Sequence, residues 1–198
     1  MSGPTQTDVE ASLKILTIMN IDEIASSFSL MFELKLKWND LHLTFSFLKE
    51  DTRQNIISKD LWTHFWTPNI RYLNDKDEVR DKELEIAVER QGIPTMQPDK
   101  NSLHANETYP GSQNAISLKS LNRGEFDCSF ESIMFYPFDE QNCSMIFYIY
   151  GSDNALTNLY AGKLKIFSPY SVGEYQIIGW YLDTRISDEG GEMASLDC

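Results

Sequence analysis

The sequence predicts an all-β domain, folded as a sandwich or a barrel, from two observations. The first is alternation: in residues 27–38, Leu34, Leu36 and Trp38 alternate with charged residues, as on a strand with one apolar and one polar face. The second is turn chemistry, because segments rich in Gly, Asn and Asp separate the short apolar runs. Many short strands with frequent turns are typical of sandwiches and barrels.

In chain order, β-branched, aromatic and alternating segments predict strands at residues 11–19, 27–38, 114–121, 144–151, 162–167 and 174–182. The one helical candidate is short, covers residues 58–65 and has Ser58 as its potential N-cap. Residues 77–102 are highly charged and are expected to form a connection that holds one short strand. Residues 1–8 are expected to be a tail, and residues 9–198 a single domain.

Composition supports one folded domain and disfavours nucleic-acid binding. The chain has 198 residues, of which 41% are hydrophobic, enough for one core. Its 30 acidic residues outnumber 17 basic ones, so the net charge is -13 at pH 7 and the surface repels phosphate backbones. The sequence has no Gly-x-Ser-x-Gly elbow, phosphate loop or zinc-protease helix motif, so neither an enzyme nor a cofactor is predicted.

Two of the three cysteines, Cys128 and Cys143, enclose fourteen residues. A zinc site would need more closely spaced ligand pairs, and the three histidines are scattered along the chain. A redox pair usually has Cys-x-x-Cys spacing. A structural disulfide is therefore favoured over both, and a loop of this size would make it worth ~3 kcal/mol. Cys198 has no evident partner in the sequence.

Four motifs carry a resemblance to a known family. Segment 128–143 has a Tyr-Pro-Phe-Asp core and a Gln-Asn pair before its second cysteine, and it resembles the signature loop of the Cys-loop receptors. These are pentameric neurotransmitter-gated ion channels, and the match is to their extracellular ligand-binding domain. The motifs at 38–40, 66–70 and 173–179 resemble further landmarks, and all four occur in the family's order. The resemblance implies an immunoglobulin-like, twisted β-sandwich of about ten strands with little helix.

The sequence departs from the family pattern in its loop and at its ends. The loop holds one residue more than is usual, and because side chains alternate along a strand, this predicts an irregular strand or a bulge before Cys128. The family's opening helix is expected to be missing or shortened, and its last strand and transmembrane helices are expected to be absent. The resemblance implies the extracellular side of the cell membrane, with signal peptide and anchor outside this chain.

Counting from the landmarks gives the ligand-binding positions that the resemblance implies. In the family the ligand lies between two subunits, one of which contributes the principal face of the site and the other the complementary face. On the principal face, Tyr150 stands where a tryptophan is usual and Leu73 where a tyrosine is usual. On the complementary face, Glu33 stands where an aromatic residue is usual. The full candidate set is Tyr150, Leu73, Tyr72, Glu33, Lys35, Tyr181, Arg185 and Glu189. Since few of the rings that attract cations are retained, the expected ligand is an amine or an amphiphile, and not classical acetylcholine.

These candidates have ordinary structural alternatives, and other positions have roles implied by the family. Tyr150 could be a packed core tyrosine, and Glu33 and Lys35 could lie on a solvated strand face. The landmark tryptophans Trp38 and Trp66 are expected in the core. Four residues of the loop are expected to couple ligand binding to the gate, namely Tyr136, Pro137, Phe138 and Asp139. Two residues fit the N-glycosylation pattern, namely Asn106 and Asn142.

The resemblance favours a subunit of a homo- or hetero-pentameric ligand-gated channel, of which this chain is the extracellular domain. The alternative is a soluble binding protein similar to the acetylcholine-binding proteins. Those relatives typically lack the Pro-Phe-Asp tip, which is present here at residues 137–139 and favours the channel. A carbohydrate-binding sandwich would leave the ordered landmarks unexplained.

Overall fold

The computed structural model describes residues 6–77, 79–98, 105–130, 140–151, 157–167, 171–186 and 192–197. Within these ranges the chain forms strands and two short 3₁₀ helices, Thr52–Gln54 and Lys59–His64. The strands are β1 (Thr7–Asp22), β2 (Ser27–Trp38), β3 (Thr44–Ser46), β4 (Asn69–Tyr72), β5 (Arg80–Glu89), β6 (Thr95–Pro98), β7 (Ala105–Pro110), β8 (Ala115–Asp127), β9 (Ser144–Tyr150), β10 (Thr157–Ile166), β11 (Ser171–Val172), β12 (Tyr175–Gln176), β13 (Tyr181–Ile186) and β14 (Glu192–Asp197). The predicted all-β class is confirmed.

Two sheets form the sandwich. The first has five strands in the order β10-β1-β2-β8-β5, in which only the β1–β10 pair is parallel. The second has four antiparallel strands in the order β13-β14-β9-β4. Smaller sheets join β3, β7 and β6, and β11 with β12. The core lies between the two larger sheets, since both contribute side chains to one buried apolar cluster.

Strand β2 shows how side-chain alternation builds this core. Its predicted bounds agree with the structure, and Phe32, Leu34, Leu36 and Trp38 are all buried while the residues between them are half-exposed. Side chains of this size stabilise a fold by ~1.5–3 kcal/mol each when fully buried. The facing sheet supplies the opposite layer, in which Phe147 of β9 is fully buried. The alternating pattern therefore fixes which face of the strand meets the core.

The charged connection at residues 77–102 differs from the prediction. It contains two strands, β5 and β6, and β5 is ten residues long and pairs with β8 at the edge of the five-stranded sheet. Ile86, Ala87 and Val88 are buried near the C-terminal end of β5. The prediction was wrong because the surrounding charges hid this short apolar run.

The C-terminal part also differs from the prediction. Residues 174–182 do not form one strand: β12 ends at Gln176, an irregular segment follows, and β13 begins at Tyr181. Strand β14 follows β13 and pairs with both β13 and β9, while the expected absence of the family's last strand stays a prediction. This pairing attaches the β13–β14 hairpin to the strand that ends at Tyr150.

Four smaller expectations are corrected. The helical segment is a 3₁₀ helix, and the Ser58 hydroxyl donates to Asp60 instead of capping a backbone N–H. Strand β8 keeps a continuous register with β2 up to Asp127, so no bulge precedes the first cysteine on that side. Strand β1 begins at Thr7, inside the expected tail. Trp66 is 40% exposed, although its ring contacts the ring of buried Trp38 edge-on at 5.9 Å.

Candidate functional site

The outer face of the four-stranded sheet brings together several of the predicted ligand-binding segments. Along β9 the residues Met145, Phe147 and Ile149 are buried, so Tyr148 and Tyr150 point to the opposite, solvent side. Tyr150 is 49% exposed and pairs in register with Asn69 of β4. The same sheet carries the β13–β14 hairpin. Tyr150 is therefore a surface residue rather than a packed core tyrosine.

The ring of Tyr150 is covered by a cation from its own chain. The guanidinium carbon of Arg71 lies 3.9 Å from the centroid of the Tyr150 ring. The strand register explains the contact. Arg71 pairs directly with Tyr148, and Tyr150 is two residues further along β9, so it is the diagonal cross-strand neighbour of Arg71 on the same face. Contacts of this kind at exposed sites are worth ~0.5–1 kcal/mol. A ligand that uses this ring must share it with Arg71 or displace it.

Leu73 and Tyr72, the neighbouring candidates on β4 and just after it, point in opposite directions. Leu73 is 58% exposed, whereas the Tyr72 ring packs 5.9 Å from Phe32, 5.7 Å from Phe126 and 6.1 Å from Phe147. Edge and tilted contacts of aromatic rings add to the stability that burial provides. Tyr72 therefore belongs to the core, and it is removed from the candidate site.

Glu33 and Lys35 lie on the other sheet. Both are half-buried on the outer face of β2, where Lys35 pairs with Glu89, and Lys37 Nζ lies 2.9 Å from the same carboxylate. Partial burial alone raises the pKa of Glu89, but hydrogen bonds from the two lysines outweigh it and hold that pKa below its usual value. Lys35 is thus part of a charged cluster. Since the outer faces of a sandwich point away from each other, one chain cannot bring Glu33 to Tyr150.

The β13–β14 hairpin is described only in part, since residues 187–191 lie outside the described ranges. Tyr181 opens β13, pairs with Asp197 and is 48% exposed, so its ring is available at the surface. Arg185 lies further along β13, opposite Met193. Glu189 lies outside the described residues. The roles of these three residues in ligand binding remain predictions.

The predicted disulfide is present. Cys128 follows β8, Cys143 precedes β9, their Cα atoms are 5.0 Å apart, and both are buried. The Cys128 N–H donates to the Ser26 carbonyl at 3.0 Å, which connects the bridge to the turn between β1 and β2. Asn74 joins the two strands next to the cysteines, because its side chain donates to the carbonyls of Asp127, at the end of β8, and Ser144, at the start of β9, and accepts from the Ile146 N–H. The base of the loop is therefore firmly held.

The coupling residues Tyr136, Pro137, Phe138 and Asp139 lie outside the described residues, so their role remains a prediction. Asn142 is exposed beside Cys143, and Asn106 lies in β7, opposite Gln97. Exposure of Asn142 is compatible with glycan attachment, which also remains a prediction.

Sequence reasoning missed Arg71. The landmark count pointed to Leu73, but period-two alternation from Asn69 would have placed Asn69, Arg71 and Leu73 on one face of the strand. The sequence signal that could have identified Arg71 was therefore a basic side chain on the same strand face as the candidate Leu73. In the part of the chain that the structure describes, the Arg71 side chain has no hydrogen bond or ion pair beside its contact with Tyr150.

The described residues hold neither a cluster of metal ligands nor a membrane-spanning helix. Among the described residues, no group of three or more His, Cys, Asp or Glu side chains could hold a metal ion. No helix in the described ranges combines the length and the apolar character that crossing a bilayer requires.

Comparison with known proteins gives two findings. The family described as the neurotransmitter-gated ion-channel ligand binding domain matches residues 1–99, half of the chain. The acetylcholine receptor subunit beta of Xenopus laevis is 25% identical over 148 residues, which cover 73% of this chain and 25% of that protein. The chain thus spans about a quarter of the length of the curated relative it matches. This is a family of ligand-binding domains rather than of enzymes, and the chain belongs to the neurotransmitter-gated ion-channel ligand-binding domain family.

Proposed function

We propose that the chain is the extracellular ligand-binding domain of a pentameric ligand-gated ion channel subunit at the cell surface. A small amine or amphiphile binds between two subunits, and the Cys128–Cys143 loop couples this binding to the gate. The observation that carries the proposal is that β4, β9 and the β13–β14 hairpin share one sheet, with Tyr150 exposed on its outer face.

The position of the site between subunits is supported by the geometry of the sandwich. Tyr150 and Tyr181 lie on the outer face of the four-stranded sheet, and Glu33 lies on the outer face of the five-stranded sheet. A ligand can touch both faces only when two chains meet. A ring of subunits, identical or different, would repeat this contact with the same geometry at each boundary.

The coupling role is supported by the contacts around the disulfide. The hydrogen bond from Cys128 to Ser26 and the clamp of Asn74 connect the loop base to the β1–β2 turn and to the strand that ends at Tyr150. Movement of β9 can therefore reach the loop through direct contacts. A ligand drives such a change only through different affinities for the closed and open states.

The test combines binding and structure. Calorimetric titration with a panel of amines and amphiphiles should identify a ligand, and Tyr150→Ala should weaken its binding about fivefold or more, the loss of ~1 kcal/mol from one ring. Phe47→Ala is the matched control, because Phe47 is also exposed, at 63%, but follows β3 and lies outside both large sheets. A structure of the assembled domain should show the ligand at the subunit boundary. Equal effects of both substitutions, or ligand density elsewhere, would refute the proposed site.

A further inference from the structure

A pocket of about 380 Å³ lies between three segments at the end of the sandwich that carries the disulfide. The segments are the turn between β1 and β2, the base of the disulfide loop, and the β11–β12 hairpin with the residues after it. Tyr175 joins them, since its ring lies 6.3 Å from the Phe130 ring and its hydroxyl donates to Glu23. Gly173, with φ of 60°, forms the turn of the hairpin. The Tyr175 side chain on the hairpin therefore contacts both of the other segments that line the pocket.

The interior of the pocket is apolar. Ile18, Phe28 and Cys143 line it as buried residues, and Ile21 and Ile177 are half-buried. Its volume falls in the range of about 300–1,000 Å³ that is usual for small-molecule sites. A ligand must therefore bring an apolar body of its own.

The charges around this apolar interior have one sign. Every charged residue among the described lining residues is a carboxylate, namely Glu23, Glu140 and Glu174, and all three are exposed. Gln141 and Gln176 add amide groups. A one-sign cluster beside a low-dielectric surface attracts ligands of the opposite charge. The apolar interior favours an organic cation, because metal ions with oxygen ligands prefer a fully polar shell.

We propose that this pocket binds a protonated amine with an aromatic or branched alkyl body, within a single chain. None of its lining residues belongs to the outer face of the four-stranded sheet, so it is separate from the site at Tyr150. An amine bound here would bridge the β1–β2 turn, the disulfide and the hairpin. Because such a ligand stabilises one arrangement of these segments over others, it would modulate coupling instead of starting it.

Calorimetric titration of the chain with phenethylamine tests this proposal. Phenethyl alcohol, which keeps the ring but lacks the charge, should bind to the parent chain at least about tenfold more weakly than phenethylamine does. A variant with Glu23→Gln, Glu140→Gln and Glu174→Gln should bind phenethylamine more weakly by at least the same factor. Glutamine keeps an acceptor for the Tyr175 hydroxyl. The matched control changes three exposed carboxylates outside the pocket, Glu50→Gln, Glu83→Gln and Glu85→Gln, and should bind like the parent.

Two further measurements locate the bound amine independently of the triple variant. With isoleucine methyl groups labelled, phenethylamine should shift the NMR signals of Ile18, Ile21, Ile177 and Ile178 and leave the remaining isoleucines unchanged. Tyr150→Ala should not change its affinity. The proposal is overturned by absence of phenethylamine binding, by equal binding of the alcohol, by an unaffected triple variant that remains folded, by shifts at other isoleucines, or by dependence on Tyr150.

Discussion

Replacing Arg71 by glutamine should increase the affinity of the proposed site for a quaternary ammonium probe such as choline. In the structure the guanidinium lies 3.9 Å from the centre of the Tyr150 ring, on the exposed face of the sheet. A cationic probe must therefore compete with a cation that is already held in place by the strand register. Glutamine removes the charge and keeps a side chain of similar length.

Two contributions set the size of the effect. Displacing the guanidinium costs ~0.5–1 kcal/mol, the usual worth of a cation–π contact at an exposed site. Repulsion between two like charges about 4 Å apart adds ~1 kcal/mol in a fully aqueous environment, and salt screens part of it. Together these predict an affinity for choline that is roughly fivefold to thirtyfold higher in Arg71→Gln than in the parent.

Calorimetric titration at one fixed salt concentration measures this difference. Arg53→Gln is the matched control, because Arg53 is an exposed arginine in a 3₁₀ helix outside both large sheets and loses the same charge. The gain should disappear when Arg71→Gln is combined with Tyr150→Ala. An unchanged or lower affinity of Arg71→Gln for choline, or an equal rise with Arg53→Gln, would show that the Arg71 guanidinium does not compete with the probe.

Four other predictions concern stability and coupling. Replacing Cys128 and Cys143 together by serine should lower the free energy of unfolding by ~3 kcal/mol, measured by urea denaturation under oxidising conditions. Tyr72→Ala should cost ~2–4 kcal/mol in the same assay, because it opens a cavity among core rings; a loss below ~1 kcal/mol would contradict its placement. Glu89→Gln should cost about 1 kcal/mol at neutral pH. The pKa of Glu89 is lower in the folded chain than its unfolded value of about 4.3, so the ionised carboxylate stabilises the fold above that value. This stabilisation is lost as pH falls through the folded-state pKa. The free energies of unfolding of the parent and of Glu89→Gln should therefore converge at acid pH. In the complete receptor, Asp139→Ala should impair channel opening, recorded electrically, while ligand affinity stays nearly unchanged; equal loss of both would contradict the coupling role.

The sequence was most informative where alternation was long and uninterrupted. Residues 27–38 predict β2 with its correct bounds, because every second side chain is apolar and one face must meet the core. The cysteine spacing favoured a disulfide, and the structure contains it. In both cases a local pattern coincides with the tertiary environment.

Other elements depend on partners that local patterns do not reveal. Strand β5 is stabilised by its pairing with β8, so its charged ends do not prevent strand formation. Residues 174–182 have strand-forming composition, but their pairing partners differ, since β12 pairs with β11 and β13 with β14. The contact of Arg71 with Tyr150 arises from the register between β4 and β9, which spacing along the sequence cannot supply.

The proposed site requires that Tyr150 on one chain lies close to Glu33 on the next chain. Thiol cross-linking measures this proximity: in a Cys198→Ser background, a variant with Tyr150→Cys and Glu33→Cys is treated with a short bifunctional reagent. A ring of five subunits should give a ladder of linked chains that ends at five, and neither single substitution should give a ladder. Chains that remain monomeric after treatment, or that link equally well with one of the two cysteines, would contradict this proximity.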